Sequence, residues 1–107
     1  MIFDLSKTNS IANVFISEIR DKNIQKDAMR FRTNMERLGE FFALEISKTL
    51  EYQPVETQTP LGIAKTVKLA TQPVLATITR AGTPMHKGML NIYDQAPSAF
   101  IAAYRRV

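Results

Sequence analysis

The fold of this chain is decided by residues 73–107, which read PVLATITRAGTPMHKGMLNIYDQAPSAFIAAYRRV. Residues 74–79 form a short, mostly apolar run, as is typical of a strand buried on both faces. Thr83 and Pro84 then provide an N-cap and a first helical residue, and a helix with an apolar side follows. Residues 99–104 form a second apolar run. The segment therefore predicts a strand, a helix and a second strand.

This order predicts a parallel βαβ unit, because a crossover helix joins strands that run the same way. Arg80 follows the first strand and Arg105 follows the second, so both guanidinium groups are expected at the edge where open α/β sheets bind ligands. Gly82 allows close backbone approach, and the helix begun by Thr83 directs free amides to the same place. Each arginine can form two parallel hydrogen bonds to phosphate oxygens, and a diphosphate can use several such donors at once. A diphosphate therefore suits these two arginines better than a carboxylate. An arginine after a strand is also commonly just solvated, and that interpretation stays open.

Two amphipathic helices are predicted upstream. In residues 10–19, Ile11, Val14, Phe15 and Ile19 follow the spacing of one apolar face. A second, longer helix is predicted over residues 24–50, with a cap in the preceding Asp-Lys-Asn segment. Its continuous apolar stripe consists of Ala28, Phe31, Met35, Leu38, Phe42 and Ile46. A helix of this length suits packing across a sheet or against another subunit, and the sequence leaves both possibilities open.

A β-hairpin is predicted between the helices and the βαβ unit. Residues 51–69 contain two extended segments, separated by Thr59-Pro60-Leu61-Gly62. Proline at the second position and glycine at the fourth are typical of a tight turn. The sequence thus predicts an α/β fold with two N-terminal helices, a β-hairpin and a parallel βαβ unit.

Length and composition limit the classes of function. The chain has 107 residues, enough for one compact domain, and 45% of them are hydrophobic. The absence of cysteine excludes disulfides and thiolate metal sites and fits a reducing cytoplasm. We expect neither a signal peptide nor a membrane span. The net charge of +4 favours anionic partners in general, although it is also an ordinary solubility charge.

Other candidates for chemistry are weaker. His86, the one histidine, is predicted to be a helix-surface residue. Nucleophilic catalysis is not supported, because no base is paired with Ser10, Ser47 or Ser98. The alternation of basic and aromatic residues in Arg30-Phe31-Arg32 could indicate nucleic-acid binding, but Phe31 belongs to the apolar stripe. No metal site of protein ligands is predicted, and the scattered charges predict no nucleic-acid partner.

The ordered combination of several short segments resembles the uracil phosphoribosyltransferase family, over nearly the whole chain. The carrying segments are Glu18-Ile19-Arg20-Asp21, Arg30-Phe31-Arg32, Gly39, Glu45, Gln58-Thr59-Pro60-Leu61-Gly62, Arg80-Ala81-Gly82-Thr83-Pro84-Met85 and Ala103-Tyr104-Arg105. Each segment alone is weak. Their order and spacing are what make the resemblance specific.

The resemblance implies an enzyme that transfers the ribosyl-5-phosphate of phosphoribosyl pyrophosphate to uracil, giving UMP and diphosphate in pyrimidine salvage. It implies that Arg80 and Arg105, with Ala81 and Gly82, contact the donor at its pyrophosphate. It implies Mg²⁺ accompanying the donor, and a dimer or larger homo-oligomer. No catalytic residue is assigned.

Two features of the family have no counterpart in these 107 residues. They are the phosphate loop, with its threonine-glycine-glycine-serine type segment after an acidic residue, and the carboxyl-terminal segment that binds uracil. We therefore expect the incomplete first half of a phosphoribosyltransferase fold, inactive alone. It forms a single partial domain, with a helical arm (1–50), a hairpin (51–70) and a βαβ unit (71–107). The alternative is a non-catalytic α/β module that binds a nucleotide or a phosphorylated ligand.

Overall fold

The computed structural model describes residues 2–79 and 82–102. Two 3₁₀ turns, Leu5–Lys7 and Ile24–Lys26, accompany the regular elements. The helices and strands, in chain order, are α1 (Ile11–Arg20), α2 (Ala28–Ser47), β1 (Tyr52–Thr59), β2 (Gly62–Leu69), β3 (Leu75–Ile78), α3 (Thr83–Ile92) and β4 (Ser98–Ile101). The α/β class and the predicted order of elements are confirmed. The division of the chain into domain segments stays a prediction.

Helix α1 forms as predicted but buries a different face. The Ser10 hydroxyl caps it by accepting a hydrogen bond from the amide of Ala12. Ile11 and Val14, predicted to point inward, are 58% and 51% exposed. The inward face is formed by Ala12, Phe15, Ile16 and Ile19. These residues also follow helical spacing, so the pattern allowed two overlapping faces, and packing against α2 selected the second.

Helix α2 is shorter at both ends than the predicted range 24–50. The Asp27 carboxylate accepts from the amide of Arg30 at 3.1 Å and starts the helix there, so the residues before it form a separate 3₁₀ turn. At the other end, the hydroxyls of Ser47 and Thr49 donate to the carbonyls of Leu44 and Ile46, as serine and threonine do where helices end. A local cap therefore set the boundary, against a longer apolar pattern.

The buried side of α2 contains small and polar residues that an apolar stripe does not reveal. Ala28 and Ile46, at the ends of the predicted stripe, are exposed. The fully enclosed residues are Asn34, Leu38, Gly39 and Ala43. A side chain at Gly39 would overlap the backbone of Met85 in α3, and one at Gly88 would overlap the backbone of Glu36 in α2. The two helices thus meet backbone to backbone.

The predicted hairpin is confirmed. Strands β1 and β2 pair antiparallel from Tyr52–Leu69 to Thr59–Gly62, with a two-residue turn. Thr59 stabilises the turn, since its hydroxyl accepts from the amide of Leu61 and donates to the carbonyl of Gly62. The base of the hairpin contacts α2, because the Tyr52 hydroxyl donates to the carbonyl of Ser47 at 2.7 Å, whereas further along β2 Ile63 and Val67 are 65% and 66% exposed.

The predicted βαβ unit is also confirmed, with its strands parallel. The register runs from Leu75–Ser98 to Ile78–Ile101. The prediction that both strands are buried on both faces is wrong: β4 is exposed along its length, and in β3 only Leu75 is buried. The reason is that α3 packs mainly against β3, so Phe100 on the same face of β4 is still 60% exposed, and nothing in residues 2–79 and 82–102 covers the other face.

Two apolar clusters hold the helices and the sheet together. The first joins Leu5, Ala12 and Leu38, and the second joins Ala43, Leu75 and Tyr93. The Tyr93 hydroxyl donates to the carbonyl of Ala43 at 2.5 Å, so the turn after α3 is fixed to α2. Burial, with a smaller effect of nearby Tyr52, raises the pKa of the Tyr93 phenol. The sheet is therefore positioned by α2 and α3.

Candidate functional site

The candidate site is the edge of the sheet where β3 and β4 end. Their last residues, Ile78 and Ile101, are register partners, and the amide of Thr79 donates to the carbonyl of Ile101 at 3.0 Å. Both strands therefore finish side by side and point the same way. Arg80 comes directly after Thr79, and Arg105 follows four residues after Ile101. This topology is the one that the predicted convergence of the two arginines requires.

Arg80, Ala81 and Arg105 lie outside the described residues. Their convergence on one ligand therefore stays a prediction. Of the four predicted donor contacts, Gly82 is the one with a described position.

Gly82 closes the turn from β3 into α3. A Cβ atom placed on it would overlap the Thr77 hydroxyl and lie 2.8 Å from the carbonyl oxygen of Ile78. Its backbone is ordinary right-handed helical (φ −80°, ψ −11°), so available space and not conformation demands glycine here. The close approach brings the start of α3 against the end of β3, which is the geometry expected of a phosphate-binding turn.

Helix α3 starts one residue earlier than predicted. Gly82, and not Thr83, is the N-cap residue, and its carbonyl accepts from the amide of His86 at 2.9 Å. No side chain caps this end, and the first turn holds no acidic residue. Pro84 has no amide to offer, so Thr83 and Met85 provide the amides of the first turn. The positive end of the helix dipole thus lies next to the end of β3, and no carboxylate of its own first turn offsets it.

His86 is not the helix-surface residue that the sequence predicts. It is 6% exposed, its Nε2 lies 3.1 Å from the Ser98 hydroxyl oxygen, and its ring stacks obliquely on Phe100 with 4.9 Å between the ring centres. The prediction that no base is paired with Ser98 is therefore wrong as well. The partners are twelve residues apart in sequence, so only the crossover brings them together.

The His86–Ser98 pair ties α3 to β4. Ser98 begins β4, at the opposite end of the strand from the candidate edge. Catalysis by such a pair would need a third group to orient the ring. The ring also contacts Phe100, which cannot accept its proton. We therefore treat the pair as structural. Nothing in the sequence around His86 indicated that its side chain would be buried.

An apolar cleft of about 270 Å³ lies under the free edge of β3. Its lining includes Met35, Leu75, Thr77, Met85, His86 and Met89. Its three methionine thioethers donate no hydrogen bonds, but Gly82, Thr77 and His86 also line it, so the cleft reaches the start of α3. Met85 and Met89 pack against the two apolar clusters, whereas Met29 is 69% exposed.

Some of the segments that carry the family resemblance have a structural role. Arg30 donates to the Glu18 carboxylate at 2.8 Å, and Asn34 donates to the same carboxylate at 3.0 Å. These hydrogen bonds, led by the one from Arg30, hold the pKa of Glu18 below its usual range, and Glu18 raises the pKa of Arg30. The network fastens α1 to α2. Glu18 and Arg30 therefore support the fold, away from the strand ends.

Among residues 2–79 and 82–102 there is no group of three or more His, Cys, Asp and Glu side chains able to hold a metal ion. None of the helices within those ranges combines the length and apolar character that crossing a bilayer requires.

Comparison with known proteins agrees with this architecture. The family model for uracil phosphoribosyltransferase matches residues 6–107. The curated uracil phosphoribosyltransferase of Porphyromonas gingivalis is 46% identical over 105 residues, which are 98% of this chain and 49% of the relative. The one from Sulfolobus acidocaldarius is 36% identical over 95 residues, 86% of this chain and 43% of the relative.

A solved structure supports the fold independently. The AQ2163 protein from Aquifex aeolicus superposes with a TM-score of 0.80 over 94% of this chain and 47% of its own, at 23% identity. The chain spans about half the length of the curated relatives it matches. Because the family model covers nearly every residue and the strand–helix–strand geometry agrees with it, this chain belongs to the uracil phosphoribosyltransferase family.

Proposed function

We propose that this chain supplies the donor-binding part of an enzyme that forms UMP and diphosphate from uracil and phosphoribosyl pyrophosphate, in pyrimidine salvage. The supporting observation is the parallel β3–β4 pair, whose strands end in register beside an uncapped helix start. Backbone amides, a helix dipole and two following arginines are the groups that bind phosphates in α/β folds.

Each proposed donor contact has its own role. Arg80 and Arg105 hold the pyrophosphate from two sides, and they offset the negative charge that grows on it as its bond to the ribose carbon breaks. Gly82 lets the start of α3 pack against β3, and the backbone amides at Ala81 and Gly82 are proposed to contact the phosphate oxygens. The nitrogen of uracil forms the new bond to the ribose carbon and gives up its proton. No residue of this chain is proposed for that proton transfer.

Magnesium enters the proposal as a companion of the donor. The described residues provide no protein ligand set, and Mg²⁺ commonly keeps substrate phosphates as ligands. It would therefore be held on the diphosphate oxygens, where it neutralises charge. No step is assigned to it here.

The 107 residues alone are proposed to be inactive. The two family segments expected to hold the ribose phosphate and the uracil have no counterpart in them. The remaining proposals are a cytoplasmic location and a homo-oligomer. An exposed hairpin and a sheet with unpaired edges favour the oligomer.

Donor titration with matched arginine variants tests this function. In calorimetry, phosphoribosyl pyrophosphate should bind the chain weakly in the presence of Mg²⁺. Arg80→Ala or Arg105→Ala should weaken it about 10-fold to 100-fold, since each removes charge-assisted hydrogen bonds. Arg106→Ala, one residue along, is the control and should bind nearly as before. Equal weakening by all three would contradict a defined pair.

A product assay separates the family activity from the alternative of a non-catalytic module. The chain alone should form no UMP. When the remaining half of the Porphyromonas gingivalis relative is supplied, UMP should appear and depend on Arg80. Donor binding without UMP under those conditions would favour the module that only binds a phosphorylated ligand.

A further inference from the structure

Strand β4 has few contacts that hold it in place. All four of its residues are exposed, and within residues 2–79 and 82–102 it pairs only with β3. A sheet of two strands is marginally stable by its own hydrogen bonds, so contacts from another element are needed to fix β4. Its placement bears on the candidate site, because the chain that leaves β4 reaches Arg105 four residues after Ile101.

One side chain of α3 contacts β4 at two points. His86 is 6% exposed, its Nε2 lies 3.1 Å from the Ser98 hydroxyl oxygen, and its ring packs on Phe100 with 4.9 Å between the ring centres. The hydroxyl can donate or accept, so this hydrogen bond forms with either neutral tautomer of the ring. Ser98 is the first residue of β4 and Phe100 is the third. The two contacts therefore fix both the position and the direction of the strand.

The backbone of His86 is bonded to the other side of the candidate site. Its amide donates to the carbonyl of Gly82 at 2.9 Å, in the first turn of α3. Gly82 in turn packs against the end of β3 without room for a side chain. His86 thus joins the helix start, which follows Arg80 in the sequence, to the strand that precedes Arg105.

We propose that His86 is a positioning residue of the donor site. It holds β4 at a fixed place relative to the start of α3, and it thereby sets the spacing between the two arginines. It acts through Ser98 and Phe100 and not by contact with the diphosphate. A strand that is already fixed leaves less ordering for the donor to impose, so binding is tighter. This inference rests on the proposed function, since it concerns the same site.

Asn91, on the same helix, provides a matched comparison. Its side-chain amide donates to the carboxylates of Glu36 and Glu40, at 3.1 and 2.9 Å. Asn91 therefore joins α3 to α2, whereas His86 joins α3 to β4. Loss of either side chain removes hydrogen bonds of α3, but only loss of His86 releases β4. A residue that merely stabilised the fold would act as Asn91 does.

Hydrogen exchange tests whether His86 holds β4. His86→Leu keeps an apolar side chain of similar size without the hydrogen bond, and Ser98→Ala removes the same bond from an exposed position, where the chain should fold in any case. In both variants exchange over residues 98–101 should be about 10-fold faster, while exchange in α2 is unchanged. Asn91→Leu should leave residues 98–101 as they are. Equal exchange of β4 in His86→Leu and the unchanged chain would overturn the proposal.

Calorimetry with phosphoribosyl pyrophosphate and Mg²⁺ tests whether the effect reaches the site. His86→Leu and Ser98→Ala should each weaken binding about 3-fold to 10-fold, the size expected of changes at residues that do not touch the ligand. Asn91→Leu should bind as the unchanged chain does. His86→Gln should recover most of the affinity, because its amide can replace the ring nitrogen as the partner of Ser98.

A double-variant cycle identifies the path of the effect. In a chain that carries Arg105→Ala, His86→Leu should cause no further loss of affinity, because the arginine that β4 positions is then gone. Additive losses would contradict a role through Arg105. Absence of donor binding by the unchanged chain would contradict the proposed function, and this inference with it. Full binding by a folded His86→Leu chain would contradict the positioning role alone.

Discussion

The pair formed by α2 and α3 contrasts with the pair formed by β3 and β4. The helices meet so closely that Gly39 and Gly88 have no room for a side chain. Strands β3 and β4 pair in one parallel register, yet they leave Ile78 and Ile101 more than half exposed. Parallel strands are thus positioned here by the helices, before their own surfaces are covered. The buried apolar clusters lie among the helices and at Leu75, and the rest of β3 and β4 contributes little to them.

The largest expected effect separates the two regions through matched truncations. Leu38→Ala should lower the free energy of unfolding by about 3 kcal/mol, because Leu38 is 7% exposed at the centre of the first cluster. Ile78→Ala on β3, where the side chain is 56% exposed, should cost less than about 1 kcal/mol. Urea unfolding measures both, and Leu61→Ala at the fully exposed hairpin tip is the control. Equal costs at Leu38 and Ile78 would contradict the contrast.

A smaller effect on the free energy of unfolding is expected where α2 and α3 cross, and its sign tests how closely the two helices approach. Gly88→Ala would gain about 1 kcal/mol at an exposed helical position. Here the new methyl group would overlap the backbone of Glu36, so we expect a net loss of about 1–3 kcal/mol as α2 and α3 separate. Thermal unfolding followed by circular dichroism measures it. A raised midpoint would show that the helices do not approach as described.

The smallest expected effect concerns the pH dependence of stability. Hydrogen bonds, first from Arg30 and then from Asn34, lower the pKa of Glu18 in the folded chain. Its contribution to stability is therefore complete above the ordinary pKa of glutamate, about 4.3, and is lost as the pH falls through the lowered folded pKa.

Glu18→Gln should therefore reduce the decline in unfolding midpoint below about pH 4.3. Some decline should persist, because hydrogen bonds to Ser6 lower the pKa of Asp4 in the same direction. Chemical unfolding at stepped pH values checks this. An unchanged acid slope in Glu18→Gln would show that the ion pair contributes nothing to the α1–α2 contact.

Local signals predicted the parts of this fold that have local causes. The Thr59–Gly62 turn fixed the hairpin, and the two apolar runs around Gly82 predicted the parallel strands. The predicted start of α2 was wrong because Asp21 and Asp27 are both acceptable N-cap residues. In the structure the Asp21 carboxylate accepts from the amide of Ile24 at the start of the 3₁₀ turn, and Asp27 caps α2. Choosing between them depends on packing that the local pattern does not contain.

The remaining features could not be predicted because they depend on contacts between segments that are distant in the sequence. The burial of His86 depends on Ser98 and Phe100, which reach it only through the crossover. The burial of Asn34 depends on Glu18 and Arg37, from α1 and from its own helix. At the candidate site, the strand direction and the place of Gly82 were predictable from the sequence. The N-cap residue of α3 was not predicted correctly.

The central claim is that Arg80 and Arg105 hold one diphosphate, and arginine side-chain resonances test it most directly. In a ¹⁵N-labelled chain titrated with inorganic diphosphate, the Nε signals of both residues should shift together with one dissociation constant, while that of Arg106 stays in place. Arg80→Ala should then abolish the shift at Arg105. Shifts with separate constants, or an Arg105 response that survives Arg80→Ala, would contradict a shared site.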